Sequence, residues 1–399
     1  DEPISINAIK RCASDYDNGL WKKHIKKSKS TGKKIAVIGA GPAGLTAAYF
    51  LAIKGHSIVV FESSDKPGGM LNIIPDYRLP KKVLKQEIED IKSIGVEIKT
   101  NTKIDANSLS ELFSSGFDAI FVSIGAQESV KLQIEGENED GVVDSLDFLR
   151  KTGYGKKHKI GNDVLVIGGG NTAVDSARTA LRLGAKNVKI IYRRTKNEMP
   201  AHPEEIDSAL DEKIKILFLY SPKKIWRENG KLNLECIKMQ LGEVDNSGRR
   251  KPVPIPGSEK IFKADKIIIA AGQKVEKTGV ISVERKTLAT NIKGVFAGGD
   301  SVRGPSSVIE VIADGRKAAS SIDRYLGGDG IIGQALSNKQ GNLEVPEISE
   351  KKEMRVKIPC LSLNKRIKSF SEIEQGYNRK NIIKESSRCL KCDLGKTKN

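Results

Sequence analysis

KKIAVIGAGPAGLTAAYFLAIKGHSIVVFE, residues 33–62, holds the pattern that decides the fold. An apolar run of strand length (KKIAVIG) gives way to a glycine turn, then to a helical stretch, then to a second apolar strand ending in Glu62. Gly39, Gly41 and Gly44 form GxGxxG, with Pro42 and Ala43 inside it. The first glycine permits a tight turn, the second lets backbone approach a pyrophosphate, and the third lets helix and strand pack closely. The N–H groups at the helix start then face the phosphates. Glu62 stands where a carboxylate can accept hydrogen bonds from both ribose hydroxyls and would repel a 2′-phosphate. A lone GxGxxG recurs by chance; strand, glycines, helix, strand and terminal acid together predict a dinucleotide site.

Working outward, the same unit recurs at residues 162–194, NDVLVIGGGNTAVDSARTALRLGAKNVKIIYRR. Gly168, Gly170 and Ala173 give GxGxxA, again between strand and helix. The second strand ends not on an acid but on Arg193 and Arg194, whose guanidinium groups can pair with a phosphate dianion. That difference predicts NADP(H) at the second site, and two units predict two cofactors.

The remaining chain fits around these units. Residues 1–32 read as a short helix (ISINAIKRCASDY) and a basic linker. A helix is expected over 81–94, strands at FDAIFVSIG, near 214–219 and 232–239, and at KIIIAAG, and a helix over 307–325 after GVFAGGD. Residues 327–355 read as a loop or extended arm, and 373–392 as helical. With 399 residues, 38% hydrophobic, 30% charged and 38 glycines, the composition suits a multi-domain α/β protein. No apolar run approaches the roughly 18 to 20 residues of a membrane span, and the first residues lack a signal peptide's pattern, so a cytoplasmic location is expected. The net charge of +18 arises from lysines spread along the chain. Without a nucleic-acid motif it predicts a solvated basic surface, suited to an acidic ferredoxin-like partner.

The ordered segments DEPISINAIKR, VIGAGPAGLTAAYFLA, PGGMLNIIPDYRLP, VIGGGNTAVDSARTA, YRRTKNEMPA, GVFAGGDSVRGPSSVIEVIADGRKAA and SSRCLKC resemble the small, flavin-containing subunit of NADPH-dependent glutamate synthase and its related oxidoreductases. The flavin module of dihydropyrimidine dehydrogenase is a more distant likeness. The resemblance spans about residues 1–395 and implies two cofactors, FAD and NADPH. For FAD it implies contacts at 39–44, Glu62, Gly69, Met70, Arg78 and Ile104, with a second cluster at Gly299, Asp300, Ser307 and Val308. For NADPH it implies Gly169, Gly170, Asn171, Thr172, Arg193, Arg194 and Gly272. Because GVFAGGD belongs with the first fingerprint yet follows the second, the resemblance implies an α/β fold of two nested Rossmann-like domains. The FAD domain (33–128 and 278–328) is interrupted by the NADPH domain (129–277). Short helical arms flank them at 1–32 and 329–399.

The expected chemistry is hydride transfer between nicotinamide and flavin, followed by one-electron steps to an iron–sulfur module, a ferredoxin-like protein or a large catalytic subunit. It needs no dedicated acid or base, and no catalytic residue is assigned. His24, His56, His158 and His202 form no constellation and read as surface or satisfied histidines. Disulfide reductases of similar build need a cysteine pair beside the flavin. Cys12, Cys236 and Cys360 are solitary, while Cys389 and Cys392 form a CxxC in the tail that is either a free pair or a ligand pair completed elsewhere. Relatives in the resembling group carry a cysteine-rich iron–sulfur segment just before DEPIS, so a cluster is expected upstream of residue 1 or on a partner. A stand-alone NADPH:ferredoxin or quinone reductase, or a non-catalytic electron-transfer or docking subunit, are the competing readings.

Overall fold

The computed structural model describes residues 2–105, 108–156, 159–245, 248–275, 282–332 and 353–389. Helices α1 (Ile6–Asp15) and α2 (Leu20–His24) precede β1 (Lys34–Ile38), α3 (Pro42–Ile53) and β2 (Ser57–Phe61). A 3-10 turn (Gly69–Asn72), α4 (Lys81–Ser93), β3 (Val96–Lys99), α5 (Leu109–Ser114) and β4 (Ala119–Val122) complete the first run. The second holds β5 (Glu128–Ser129), β6 (Val142–Asp144), α6 (Ser145–Gly153), β7 (Asp163–Ile167), α7 (Asn171–Arg182), β8 (Asn187–Tyr192), α8 (Pro203–Asp211) and β9 (Lys215–Phe218). Strands β10 (Tyr220–Glu228), β11 (Lys231–Val244), β12 (Arg250–Pro254) and β13 (Lys260–Ala264) follow, then β14 (Lys266–Ile269) and β15 (Gln273–Lys274). The chain returns through β16 (Val295–Ala297), α9 (Asp300–Arg303) and α10 (Val308–Tyr325), and ends in α11 (Leu363–Arg366) and α12 (Arg379–Ser387).

Two parallel sheets result. One has the order β16-β4-β1-β2-β3, so a strand from beyond the second fingerprint completes the sheet of the first; the other runs β6-β14-β7-β8-β9. The apolar runs of β1 and β7 have their last four residues buried, as expected of strands covered on both faces. The chain passes between the sheets at β5 and β15, which pair antiparallel through Gln273 opposite Ser129 and Lys274 opposite Glu128. Helix α3 is almost entirely apolar and small, because it lies between its sheet and α10. The two helices meet at Gly315, where a Cβ would stand 2.4 Å from the Ala43 carbonyl.

An antiparallel sheet, β10-β11-β12 with β13 on β11, is larger than the strands expected near 232–239. Prolines hid it: Pro222 lies at a register shift, and Pro252 and Pro254 lie on β12, which pairs only with β11. The tail helix is shorter than the expected 373–392, beginning after Gly376 in the left-handed region (φ 72°) with Asn378 as its cap. Much of the expected arm, 333–352, lies outside the described residues, as do His158 and Cys392.

Candidate functional site

Each glycine of the first turn meets a different demand. Gly39 has φ 100°, and a Cβ there would lie 2.5 Å from the Ser123 carbonyl. At Gly44 a Cβ would stand 2.0 Å from the Gly39 carbonyl, whereas at Gly41 no atom lies within 4 Å. The turn is thus closed at its back and open at its middle, where a pyrophosphate has to approach. Pro42 and Ala43 open α3, with Gly41 as its cap residue. Glu62 is buried and holds the turn from beneath: Oε2 accepts the Ala40 N–H at 2.9 Å and Oε1 accepts the Ser64 N–H and hydroxyl, both at 2.8 Å. Oε2, with a single donor, keeps an acceptor site for a ribose hydroxyl, whereas Oε1 is filled by Ser64.

The other expected flavin contacts gather around this turn. A Cβ on Gly69 would approach the Gly41 Cα to 2.9 Å, and the Gly68 N–H donates to the Ala40 carbonyl at 2.7 Å. Ile104 lies just beyond Thr102, whose N–H donates to the Glu62 carbonyl at 2.8 Å. A Cβ on Gly299 would meet the Ala43 Cβ at 3.0 Å, so the two fingerprint segments touch. Asp300 accepts from the Ser306 N–H at 3.0 Å and hydroxyl at 2.6 Å; burial pushes its carboxyl above the ordinary value while Ser306 opposes the shift. Ser307 caps α10 in a reciprocal box with Glu310, leaving Val308 and Ile309 exposed beside it.

Two residues of this cluster also reach the second unit: Met70 packs against the core of the second sheet, and Arg78 pairs with Asp175 at 2.7 Å and Glu205 at 2.9 Å. Asp314, which sequence reading missed, is buried and accepts from the Gly299 N–H at 3.0 Å and from both edges of Arg303, at 2.9 and 2.6 Å. Its signal in the sequence is a carboxylate nearly two helical turns inside α10.

The second turn repeats the design with different closures. At Gly168 (φ 145°) a Cβ would lie 2.2 Å from the Ala270 carbonyl, and at Gly169 it would enter the Tyr192 ring at 2.3 Å. Gly170 is open apart from Pro200 at 3.9 Å. The segment around Pro200 is tied over the turn, the Ala201 N–H donating to the Gly169 carbonyl at 3.2 Å and the His202 N–H to the Asn171 side chain at 3.0 Å. Asn171 and Thr172 begin α7. Gly272 sits at the crossing between the sheets, its carbonyl accepting the Val130 N–H at 3.0 Å.

The arginine pair at the end of β8 divides. Arg193 is exposed and makes no ion pair among the described residues. Arg194 is 4% exposed: Nη2 pairs with Asp245 at 2.6 Å and Nε donates to the Arg250 carbonyl at 2.7 Å, tying the β11–β12 turn to the strand end. Both lie in the bend after β8, and with Arg194 committed to Asp245 and the Arg250 carbonyl, Arg193 is the one left to face a nucleotide.

Among the described residues the cysteines are free. Cys12 and Cys236 are buried, Cys360 and Cys389 exposed. Burial, with Glu235 adding to it, pushes the Cys236 thiol up to about 12, so near pH 8 it is neither ionised nor accessible. A thiol reagent at that pH is expected to leave Cys236 unlabelled in the folded chain and to reach it on denaturation, checked by peptide mass mapping. His56 is buried too, with Nε2 2.9 Å from Asp323 and Nδ1 2.8 Å from the Thr31 hydroxyl, a satisfied structural histidine. No helix of the described residues is long and apolar enough to cross a membrane.

Residues 33–315 match the pattern of the pyridine nucleotide-disulphide oxidoreductases. The beta subunit of the NADP(+)-dependent formate dehydrogenase of Moorella thermoacetica is 37% identical over 98% of this chain and 62% of its own length. The NADPH-Fe(3+) oxidoreductase beta subunit of Geobacter sulfurreducens is 33% identical over 98% of this chain and 66% of its own. The chain thus spans less than two thirds of either relative. The glutamate synthase [NADPH] small chain of Escherichia coli is 35% identical over 81% of this chain and 75% of its own. Among solved structures, FprA of Mycobacterium tuberculosis superimposes with a TM-score of 0.62 at 19% identity, covering 74% of this chain and 84% of FprA. Thioredoxin reductase of Lactococcus lactis gives 0.55 at 22%, covering 74% and 99%; at such identities the likeness concerns the fold alone. Three relatives over 30% identical, together with a matched pattern that runs through both glycine turns, carry the assignment: the chain belongs to the pyridine nucleotide-disulphide oxidoreductase family and is related to the glutamate synthase small chains.

Proposed function

We propose that the chain holds FAD on the first unit (33–128 and 278–328) and NADPH, in preference to NADH, on the second (129–277). It passes the electrons to an iron–sulfur protein or module within a larger assembly. One observation carries the reading: two turns open at their second glycine, one ending on a carboxylate and the other on an exposed arginine. Glu62 would accept the adenosine ribose hydroxyls of FAD; Arg193 would pair with a 2′-phosphate that only NADPH carries.

FAD, when bound, would supply the hydride and electron-transfer chemistry that no side chain provides. The chain's own residues position and seclude. The Ala43 and Gly44 N–H groups at the start of α3 would hold one pyrophosphate, those of Asn171 and Thr172 at the start of α7 the other. Asp300 would accept from a ribityl hydroxyl, and the N-terminus of α10 at Ser307 and Val308 would face the electron-rich edge of the flavin ring. The larger assembly is supported by the relatives' names, two of them subunits of a formate dehydrogenase and an Fe(3+) oxidoreductase and one the small chain of glutamate synthase; the iron–sulfur acceptor rests on the sequence resemblance.

The test is spectroscopic. The purified chain is expected to carry yellow flavin that bleaches anaerobically on adding NADPH and more slowly with NADH. A chain that retains flavin but bleaches equally with both nucleotides would refute the nucleotide preference, and one that never retains flavin would leave only a docking role.

A further inference from the structure

Between the flavin-side turn and the nucleotide-side helix runs a continuous buried contact. Residues 68–80 start at the glycine turn, where Gly69 abuts Gly41, and continue into the core of the second sheet through Met70 and Ile73. Tyr77 then inserts its ring, 1% exposed, against α7: the Arg182 and Arg178 guanidinium carbons lie 4.0 and 4.9 Å from the ring centroid, and the hydroxyl donates to the Asp175 carbonyl at 3.3 Å. Arg78 adds the ion pairs to Asp175 on α7 and Glu205 on α8. The two arginines on α7 are themselves fixed, Arg182 by a fork to Glu212 at 2.8 and 2.9 Å, Arg178 by Glu212 at 3.2 and 2.9 Å and by Glu205. Burial alone would raise the Glu212 carboxyl; Arg182 and Arg178 more than offset it and hold it below its ordinary value.

The C-terminal arm closes this contact from behind. The Phe370 ring lies 6.3 Å from that of Tyr77, and the Ile373 N–H donates to the Tyr77 carbonyl at 3.0 Å. Arg366 reaches Asp211 at 3.2 Å and Glu212 at 3.8 Å. Four arginines (78, 178, 182, 366) thus face four carboxylates (175, 205, 211, 212) around one tyrosine; Asp175, Arg178, Arg182 and Glu212 are buried, and Asp211 lies at the exposed rim. Buried pairs of this kind add little net stability but penalise any arrangement that separates them, so they specify one geometry rather than strengthen the fold. The helix they grip begins at Asn171, on the second glycine turn.

We propose that Tyr77, braced by Arg366 and Phe370 of the C-terminal arm, is a positioning residue that fixes the nucleotide-binding helix α7 relative to the flavin-side turn. It thereby sets the rate of hydride transfer and not the affinity for either cofactor. This rests on the reading of two cofactors above. Hydride transfer requires reacting atoms about 3 to 3.5 Å apart, and a misplacement of about 1 Å costs on the order of a hundredfold. The arm therefore acts on the reaction without touching either nucleotide.

Tyr77→Leu, Tyr77→Phe and Arg366→Gln in the full chain test this. Flavin content and half-saturation by NADPH are expected to stay within about twofold, while the limiting rate of anaerobic flavin reduction falls between about tenfold and a hundredfold in Tyr77→Leu. Tyr77→Phe, which keeps the ring, is expected to restore that rate, and Arg366→Gln to fall between. A second readout needs no cofactor: in hydrogen exchange of the apo chain, amides of 73–79 and 363–375 should exchange faster in Tyr77→Leu while β1 and β7 stay protected. If Tyr77→Leu fails to fold, Arg366→Gln decides by the same two readouts. An unchanged reduction rate in a variant with loosened exchange overturns the positioning role, as does a rate loss that follows lost flavin or nucleotide affinity. Wild-type flavin that NADPH does not reduce overturns the two-cofactor reading itself, a distinct outcome.

Discussion

Gly41→Val is expected to yield a folded protein without flavin, and Gly44→Val to yield no folded protein at all. The backbone at Gly41 is extended (φ −79°, ψ 180°), a conformation open to any residue, and no atom lies within 4 Å of an added Cβ. Nothing in the apo fold therefore resists the substitution, but the side chain would fill the space the pyrophosphate needs and keep it from the N–H groups of α3. Losing one or two hydrogen bonds to a charged group costs about 2 to 4 kcal/mol, a weakening of FAD on the order of a hundredfold or more. At Gly44 the added Cβ would lie 2.0 Å from the Gly39 carbonyl and 2.7 Å from the Ser123 hydroxyl, so α3 could not lie against β1 and β4. Circular dichroism and flavin absorbance on the two purified variants separate these outcomes; a Gly41→Val chain that keeps its flavin would place the cofactor elsewhere.

These glycines were legible because their roles are local. Turn, open approach and close packing are all set within a few residues, and an alternation of apolar runs with GxGxxG carries them in the sequence. The same held for the first sheet's return strand only through resemblance, since nothing local in GVFAGGD says which sheet it joins. What escaped reading is non-local charge. Helix α7 carries Asp175, Arg178 and Arg182 on one face, a spacing that reads as a solvated stripe; all three are buried because Tyr77, Glu212 and Glu205 come from distant segments to meet them. Likewise the tail helix is legible but its docking is not: buried Glu385 accepts the Ser5 and Val356 N–H groups, each at 2.8 Å, and ties α12 to the segment before α1.

The arginine pair shows how the two levels combine. Sequence places Arg193 and Arg194 together at a strand end and predicts a 2′-phosphate; packing then assigns them different work. Arg194 has its guanidinium committed to Asp245 and the Arg250 carbonyl, whereas Arg193 faces outward in a positive surrounding to which Arg194 and Arg249 contribute. Partial desolvation by its neighbours, followed by these like charges, holds the Arg193 pKa below its ordinary value, yet arginine stays protonated in proteins, so the charge offered to a phosphate persists. Arg193→Ala is expected to raise the KM for NADPH about tenfold to a hundredfold, the effect of removing one charge-assisted contact worth about 1.5 to 3 kcal/mol, and to leave NADH unchanged. Arg194→Ala is expected to lower the melting temperature, since it removes an ion pair to Asp245 and a hydrogen bond to the Arg250 carbonyl, together about 1 to 3 kcal/mol, and to weaken both nucleotides together by releasing the β11–β12 turn. Steady-state kinetics with each nucleotide, set beside thermal unfolding of each variant, resolve the two roles. Equal losses for NADPH and NADH in a fully stable Arg193→Ala chain would remove the arginine from the 2′-phosphate and with it the charge contrast between the two turns.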